Sequence, residues 1–365
     1  MASKIVLHIG LQKSGTTFLQ HMLQENRKAL AEAGVHYPIP RDWARGKRSV
    51  ANHEWATYGL LGTEYPWVSD QRAAKESATW QDILNQVDAV PGTVLLSAEA
   101  LSVIRTPAIR HLRAVFNTTD IEVVITTRSL ASALPSLWQQ HIRNGWSVSI
   151  EDFLERLARK RDKGHDHIEN APSAHIWRAF ILNKLVQRWQ KPATTRISIV
   201  TTPGNPQRLL WERFAQAINA PALANAPLVH PKDAHTGLTA PETLILASLN
   251  ATVQQWPVRD AARIRQIVTD RFQTRPHRGT KATVPPEWHP RLTEWTNNDL
   301  TNLRRTTAQI IGDLADLHQT PKPTPPPSPE ETANAGAEAA LALANLTSRH
   351  SPLHRTAHRL LRLLP

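Results

Sequence analysis

Two kinds of apolar run alternate along this chain. Short unbroken runs rich in β-branched residues occur at Ile5-Val6-Leu7-His8-Ile9, Thr93-Val94-Leu95-Leu96-Ser97, Ile121-Glu122-Val123-Val124-Ile125-Thr126 and Arg196-Ile197-Ser198-Ile199-Val200-Thr201. Their length and composition are those of strands buried on both faces of a parallel sheet. Between them, apolar residues recur at helical spacing. Phe18, Leu19, Met22 and Leu23 predict a helix that starts near Thr16 and runs to about Ala33, where Gly34 is the stop. Trp177, Phe180, Ile181, Leu185 and Trp189 share one face of a helix over 176–189. Further helices are expected over 149–159, 208–218, 238–250, 259–273 and 289–314; in the third of these, Thr239 with Glu242 three residues on is a capping box. Strands alternating with helices predict an α/β fold with a mostly parallel central sheet.

The pattern is weaker elsewhere. Residues 35–92 read as a long irregular stretch with helical patches, holding Trp43, Trp55, Trp67 and Trp80 and the Asn52-His53 pair. Residues 160–175 are charged and histidine-rich, with His165 and His167 lacking partner ligands at a metal-site spacing, so a mobile loop is expected there. Pro321 to Pro329 contains six prolines and reads as an extended linker; Glu330 to Leu346 is alanine-rich and reads as a weak helix. Leu353, Ala357, Leu360, Leu361 and Leu364 form an apolar stripe opposite Arg355, Arg359 and Arg362. Such a basic amphipathic tail can lie on an anionic membrane, dock a partner protein, or fray. The expected organisation is one domain over 1–318, a linker over 319–346 and a basic tail over 347–365.

Composition narrows the function. The formal charge of +12 favours anionic partners such as a nucleotide, an acidic glycan or an anionic lipid. No zinc-finger, RNA-recognition or basic-zipper signature accompanies that charge, so nucleic acid is not an expected partner. Cysteine is absent, which removes disulfides and thiol catalysis and suits a cytoplasmic location. The first apolar run is too short for a membrane anchor.

The chemistry concentrates between Lys4 and Leu23. A strand runs into the tight loop Gly10-Leu11-Gln12-Lys13-Ser14-Gly15-Thr16-Thr17, and a helix begins at its end. Backbone N–H groups converge there, the helix dipole favours negative charge, and Lys13 adds a full positive charge. Gly10 and Gly15 keep the spacing of a nucleotide triphosphatase loop, but Thr16 stands where that motif needs lysine. The lysine lies inside the loop instead. Lys-Ser-Gly-Thr-Thr after a strand resembles the 5′-phosphosulfate loop of the sulfotransferases that use 3′-phosphoadenosine-5′-phosphosulfate (PAPS), in their soluble, bacterial form.

That resemblance implies a P-loop-like three-layer domain and a set of roles. Lys13, Ser14, Gly15, Thr16 and Thr17 would hold the 5′-phosphate, with Lys13 also neutralising charge on the oxygen from which the sulfuryl group departs. Arg128, just after the third strand, and Ser136, eight residues on, would hold the 3′-phosphate; Ser129-Leu130 stands where family members often have Asp-Pro. Ser97-Ala98-Glu99 matches a serine-x-glutamate at the end of the second strand, which makes Glu99 the first candidate for the base and His53 the second. The segment over 35–92 occupies the place of acceptor-binding segments, where its tryptophans either stack on an acceptor ring or pack the loop. PAPS is then the cosubstrate and adenosine 3′,5′-bisphosphate the product. No metal is expected, and the acceptor is a small molecule or glycan bearing a hydroxyl or amine, or a lipid. Two alternatives stay open: a P-loop kinase using ATP and magnesium, and a non-catalytic binder of acidic glycan or lipid.

Overall fold

The four long runs are strands in the computed structural model, which describes residues 2–41, 52–191, 196–203, 206–229, 237–275, 278–321 and 324–349. Trp43 and the stripe over 353–364 lie outside the described residues. Two short strands join the four. β1 (Lys4–His8), β2 (Val35–His36), β3 (Thr93–Ser97), β4 (Ile121–Thr127), β5 (Arg196–Thr201) and β6 (Gln309–Ile311) form one sheet in the order β2-β3-β1-β4-β5-β6. Every neighbouring pair is parallel. The architecture is therefore α/β around a single all-parallel sheet.

The helices depart from the sequence pattern where local chemistry interrupts it. Asn26 divides the first expected helix into α1 (Thr16–Glu25) and α2 (Arg27–Glu32): its backbone N–H and its side-chain Nδ2 both donate to the Met22 carbonyl, at 3.0 and 2.8 Å. The stretch read as irregular holds α3 (Glu54–Leu61) and the twenty-residue α4 (Asp70–Ala89). Then come α5 (Thr106–Ala114), α6 (Leu130–Arg143) and α7 (Ile150–Asp162). The histidine-rich segment expected as a mobile loop contains α8 (His165–Asn170). The amphipathic helix expected over 176–189 is two, α9 (His175–Phe180) and α10 (Leu182–Gln190), parted at Ile181, whose ψ of 87° is not helical. The remainder are α11 (Gln207–Ala217), α12 (Ala240–Thr252), α13 (Val258–Gln273), α14 (His289–Leu303) and α15 (Pro329–Arg349).

The chain divides into two compact units. The first comprises residues 1–133, 155–234 and 287–320 and contains the whole sheet; the second comprises 134–154, 235–286 and 321–365. This is a different partition from the one domain, linker and tail expected from sequence. Residues 330–346, read as a weak helix, lie in α15, which packs on α12 and α13 in the second unit. There the capping box of Thr239 and Glu242 is formed. Buried Glu242 also pairs with Arg278 at 2.7 Å and with Arg275 at 3.8 Å.

In the first unit, α1 and α11 cover one face of the sheet. Phe18, Leu19 and Met22 from α1 and Trp211 and Phe214 from α11 close on Val6, Leu95, Val124 and Val200. The Trp211 indole N–H, which burial would leave without water, donates to the Leu223 carbonyl at 2.7 Å. At the N-terminal ends of three strands, Glu122 accepts from Lys4 at 3.0 Å and from Arg196 at 2.6 Å, which pins β1, β4 and β5 at the edge away from the glycine loop. At the other end, the chain leaves β1 towards β2 and β3 while β4 lies on the opposite side. Parallel sheets open a crevice at such a reversal, outside the carboxyl ends of the strands. Among the described residues no helix is long and apolar enough to cross a membrane.

Candidate active site

The glycine loop stands at that reversal, and a buried polar network fixes it from beneath. Ser14 is 1 % exposed and its hydroxyl donates to the Leu11 carbonyl at 2.6 Å. With its one hydrogen spent, Ser14 Oγ accepts from Thr126 Oγ1 at 2.8 Å. Thr126 must then accept from His8 Nε2, 3.1 Å away, which assigns the ring proton to Nε2. His8 Nδ1 accepts from Ser97 Oγ at 2.8 Å, and Ser97 in turn accepts from Gln20 Nε2 at 3.1 Å. Burial pushes the His8 imidazole down to about 3, so it stays neutral and the network keeps its direction. Backbone bonds complete the anchorage: Leu11 N–H to the Thr126 carbonyl at 2.8 Å and Ala98 N–H to the His8 carbonyl at 3.0 Å.

Close packing explains the first glycine. A Cβ at Gly10 would stand 2.1 Å from Thr126 Oγ1, 2.6 Å from Thr16 Cγ2 and 2.7 Å from His8 Nε2. Gly10→Ala is expected to destabilise the fold by about 1–3 kcal/mol and to break the network. Urea unfolding, with the histidine NMR signals of His8 as the local readout, checks this; an unshifted midpoint would contradict it. Gly15 has φ 91° and caps α1 in the left-handed region, which a side chain would strain.

Lys13 also adopts the left-handed region, at φ 67°, one of two non-glycine residues among those described to do so. That turn presents the Lys13 carbonyl to Arg128, whose Nη1 donates to it at 3.1 Å. Arg128 Nε is buried without a hydrogen-bond partner, and burial lowers the guanidinium's affinity for its proton. α1 has no side-chain cap, so its first-turn N–H groups face the loop. Thr17 is exposed beside them.

The hydroxyls of Ser14 and Thr16 are otherwise engaged. Ser14 holds the loop, as described. Thr16 donates to Glu99 Oε2 at 2.6 Å. Glu99 is half-buried just beyond β3. Burial raises its pKa, while the Thr16 hydrogen bond and the charge of Lys13 pull it down. The loop, Lys13, Thr16 and Glu99 thus meet at one place, as the sequence pattern expects.

A second carboxylate was not foreseen. Glu54 stands in the first turn of α3, where Oε2 accepts the Ala100 N–H at 2.9 Å and Oε1 accepts the Tyr58 hydroxyl at 3.0 Å. Burial, and then the negative charge of Glu99, push its pKa up to about 7. Trp67, exposed at the surface, donates through Nε1 to Tyr58 Oη at 3.0 Å and lies beside the Tyr65 and His175 rings. An aromatic surface therefore runs by hydrogen bonds to the residue next to Glu99. Tyr58 is four residues from Glu54 on α3, but Glu99 and Ala100 lie some 45 residues away and no local pattern links them to it.

The raised Glu54 pKa has a defined sign. The folded state holds a proton that the unfolded chain has released, so the stability it contributes is full below about pH 4.5 and is lost as pH rises through about 7. Relative to Glu54→Gln, the wild-type protein should lose stability across that window by at most about 1.4 kcal/mol per pH unit. Urea unfolding of both at pH 5 and pH 8 measures it, and parallel behaviour would refute it.

His53, the other candidate base, is placed differently. Its Nδ1 accepts the Ser97 N–H at 2.8 Å and its Nε2 donates to the Pro38 carbonyl at 2.8 Å. Both ring nitrogens are committed to backbone, and burial lowers the pKa to about 4. This is a histidine that ties α3 to β3, with no lone pair left to take a proton. Ser136 lies on α6 within the second unit, so the site built here ends at Arg128. Arg275 and Arg278 are in the second unit and pair with Glu242. Trp55 is covered by the Arg72 guanidinium at 4.2 Å and Trp80 is buried, so Trp67 is the described tryptophan of this segment with an exposed face. Comparison of the chain with family models, with curated proteins and with solved structures returned no match.

Proposed function

We propose that this protein is a PAPS-dependent sulfotransferase with a P-loop-type α/β domain. The observation that carries the reading is the loop itself: a lysine inside a strand–loop–helix cradle, held in the left-handed region, with the partly unpaired Arg128 clasping its carbonyl. An orphaned buried guanidinium N–H is costly, and a bound phosphate would satisfy it. The acceptor oxygen or nitrogen attacks sulfur in line. The bond from sulfur to the 5′-phosphate oxygen breaks, and the bisphosphate leaves. Lys13 and the α1 N–H groups stabilise the charge that grows on that oxygen. Glu99 takes the proton from the acceptor, aided by the burial that raises its pKa. Ser14 and the His8 network serve by holding the loop, and Thr16 by orienting Glu99. Trp67 and Tyr58 offer a ring-stacking surface for a sugar or aromatic acceptor.

Calorimetric titration with adenosine 3′,5′-bisphosphate, without metal, tests the reading beside ATP with magnesium. Low-micromolar binding that collapses in Arg128→Ala is expected. No binding, or a preference for magnesium-ATP, would overturn it, the latter in favour of a kinase.

A further inference from the structure

A second cationic crevice lies in the first unit, lined by side chains outside the glycine loop. It is about 280 Å³ in volume and lies between the start of α5 and the α8–α10 segment. Arg105, Lys184, Arg188 and Lys191 line it, against the single carboxylate of Glu169. Arg105 is already held by Glu64 at 2.7 Å and Arg188 by Glu169 at 2.7 Å. Among the described residues neither Lys184 nor Lys191 has an ion pair, so two positive charges face the crevice uncompensated.

One further feature points to an oxyanion. Arg188 is only 3 % exposed, yet its Nε has no hydrogen-bond partner. Its other nitrogens are satisfied by Glu169, the Ser102 carbonyl and the Arg178 carbonyl, which fix the guanidinium in place. A buried donor left over from an otherwise complete set lacks an acceptor, and Arg188 lines the crevice.

We propose that this crevice binds a sulfate or phosphate group, as the free anion or as an ester on a small molecule, independently of the glycine loop. Lys184 and Lys191 supply the charge, and Arg188 supplies a directed donor. The assignment does not depend on the sulfotransferase reading.

Equilibrium titration of the full chain with inorganic sulfate and with glucose 6-sulfate tests it, using wild type, Lys13→Ala and the double variant Lys184→Gln/Lys191→Gln. Saturable binding equal in wild type and Lys13→Ala, and at least tenfold weaker in the double variant with an unchanged thermal melt, is the expected result. Tighter binding of the sugar ester than of sulfate would identify an esterified ligand, and equal affinity the free anion. Binding lost in Lys13→Ala but kept in the double variant would move it to the glycine loop and overturn the proposal. Binding kept in both variants, or absent from wild type, would overturn it too. Bisphosphate titration reads the glycine loop separately, so failure of one assignment is distinguishable from failure of the other.

Discussion

If the protein is the sulfotransferase proposed, Lys13→Ala should slow sulfuryl transfer by about two to three orders of magnitude, the usual cost of removing one donor aimed at developing charge. The argument is electrostatic. The lysine charge reaches Glu99 and the loop together, and the α1 N-terminus supplies only partial charge. Bisphosphate affinity should fall much less, because Arg128 and the loop backbone remain. The left-handed backbone of Lys13 provides a control. Glycine adopts that conformation without strain, whereas alanine pays for it. Lys13→Gly should therefore preserve the loop and the thermal melt while losing transfer as fully as Lys13→Ala. Transfer from radiolabelled PAPS to a panel of sugars and phenols is the measurement. A loss under tenfold in both variants would remove Lys13 from the mechanism; a loss in alanine alone would make its role conformational.

The largest stability effect is expected at Trp211→Ala. The indole is fully buried between α11 and the sheet, stacked near Phe214, with its N–H on the Leu223 carbonyl. Truncation leaves a cavity and an orphaned carbonyl, and should cost about 3–5 kcal/mol against a total stability of about 5–15 kcal/mol. Trp256→Ala, at a side chain 49 % exposed, should change stability by less than about 0.5 kcal/mol. Urea unfolding compares them. The neighbour of Trp211, Leu210, packs against Gly15, so the damage should extend to the loop. If the loop binds the bisphosphate, ligand at a hundred times its Kd should return about 2.7 kcal/mol. Equal effects of the two tryptophan substitutions would contradict the assignment of the core.

The strands legible in the sequence were those buried on both faces. β1, β3, β4 and β5 announce themselves as unbroken β-branched runs, and their observed ends fall within a residue of the pattern. β2 has two residues and β6 three, too few to show a period. β6 was hidden further because Ile310 and Ile311 continue the helical spacing of α14. The same blindness to backbone breaks joined α1 to α2 and α9 to α10. Lys13, Thr16, Glu99 and Arg128 lie where the sequence places them because a loop motif and strand ends position residues predictably. Glu54, the commitment of both His53 nitrogens, and the inward turn of Ser14 depend on which distant groups each meets. No local spacing encodes that.

The position of β6 has a consequence for how the protein is made. β6 completes the sheet by pairing with β5, but the whole stretch from Thr202 to Ala308 separates them. On a ribosome adding about 5–20 residues per second, β5 is an open sheet edge for about 5–20 s. An unpaired parallel edge of Ile197, Ile199 and Val200 is a template for strands of other chains. Expression yield should therefore depend on temperature and on chaperone supply more than the stability of the finished fold would suggest, and nascent chains arrested before residue 309 should be the ones that aggregate.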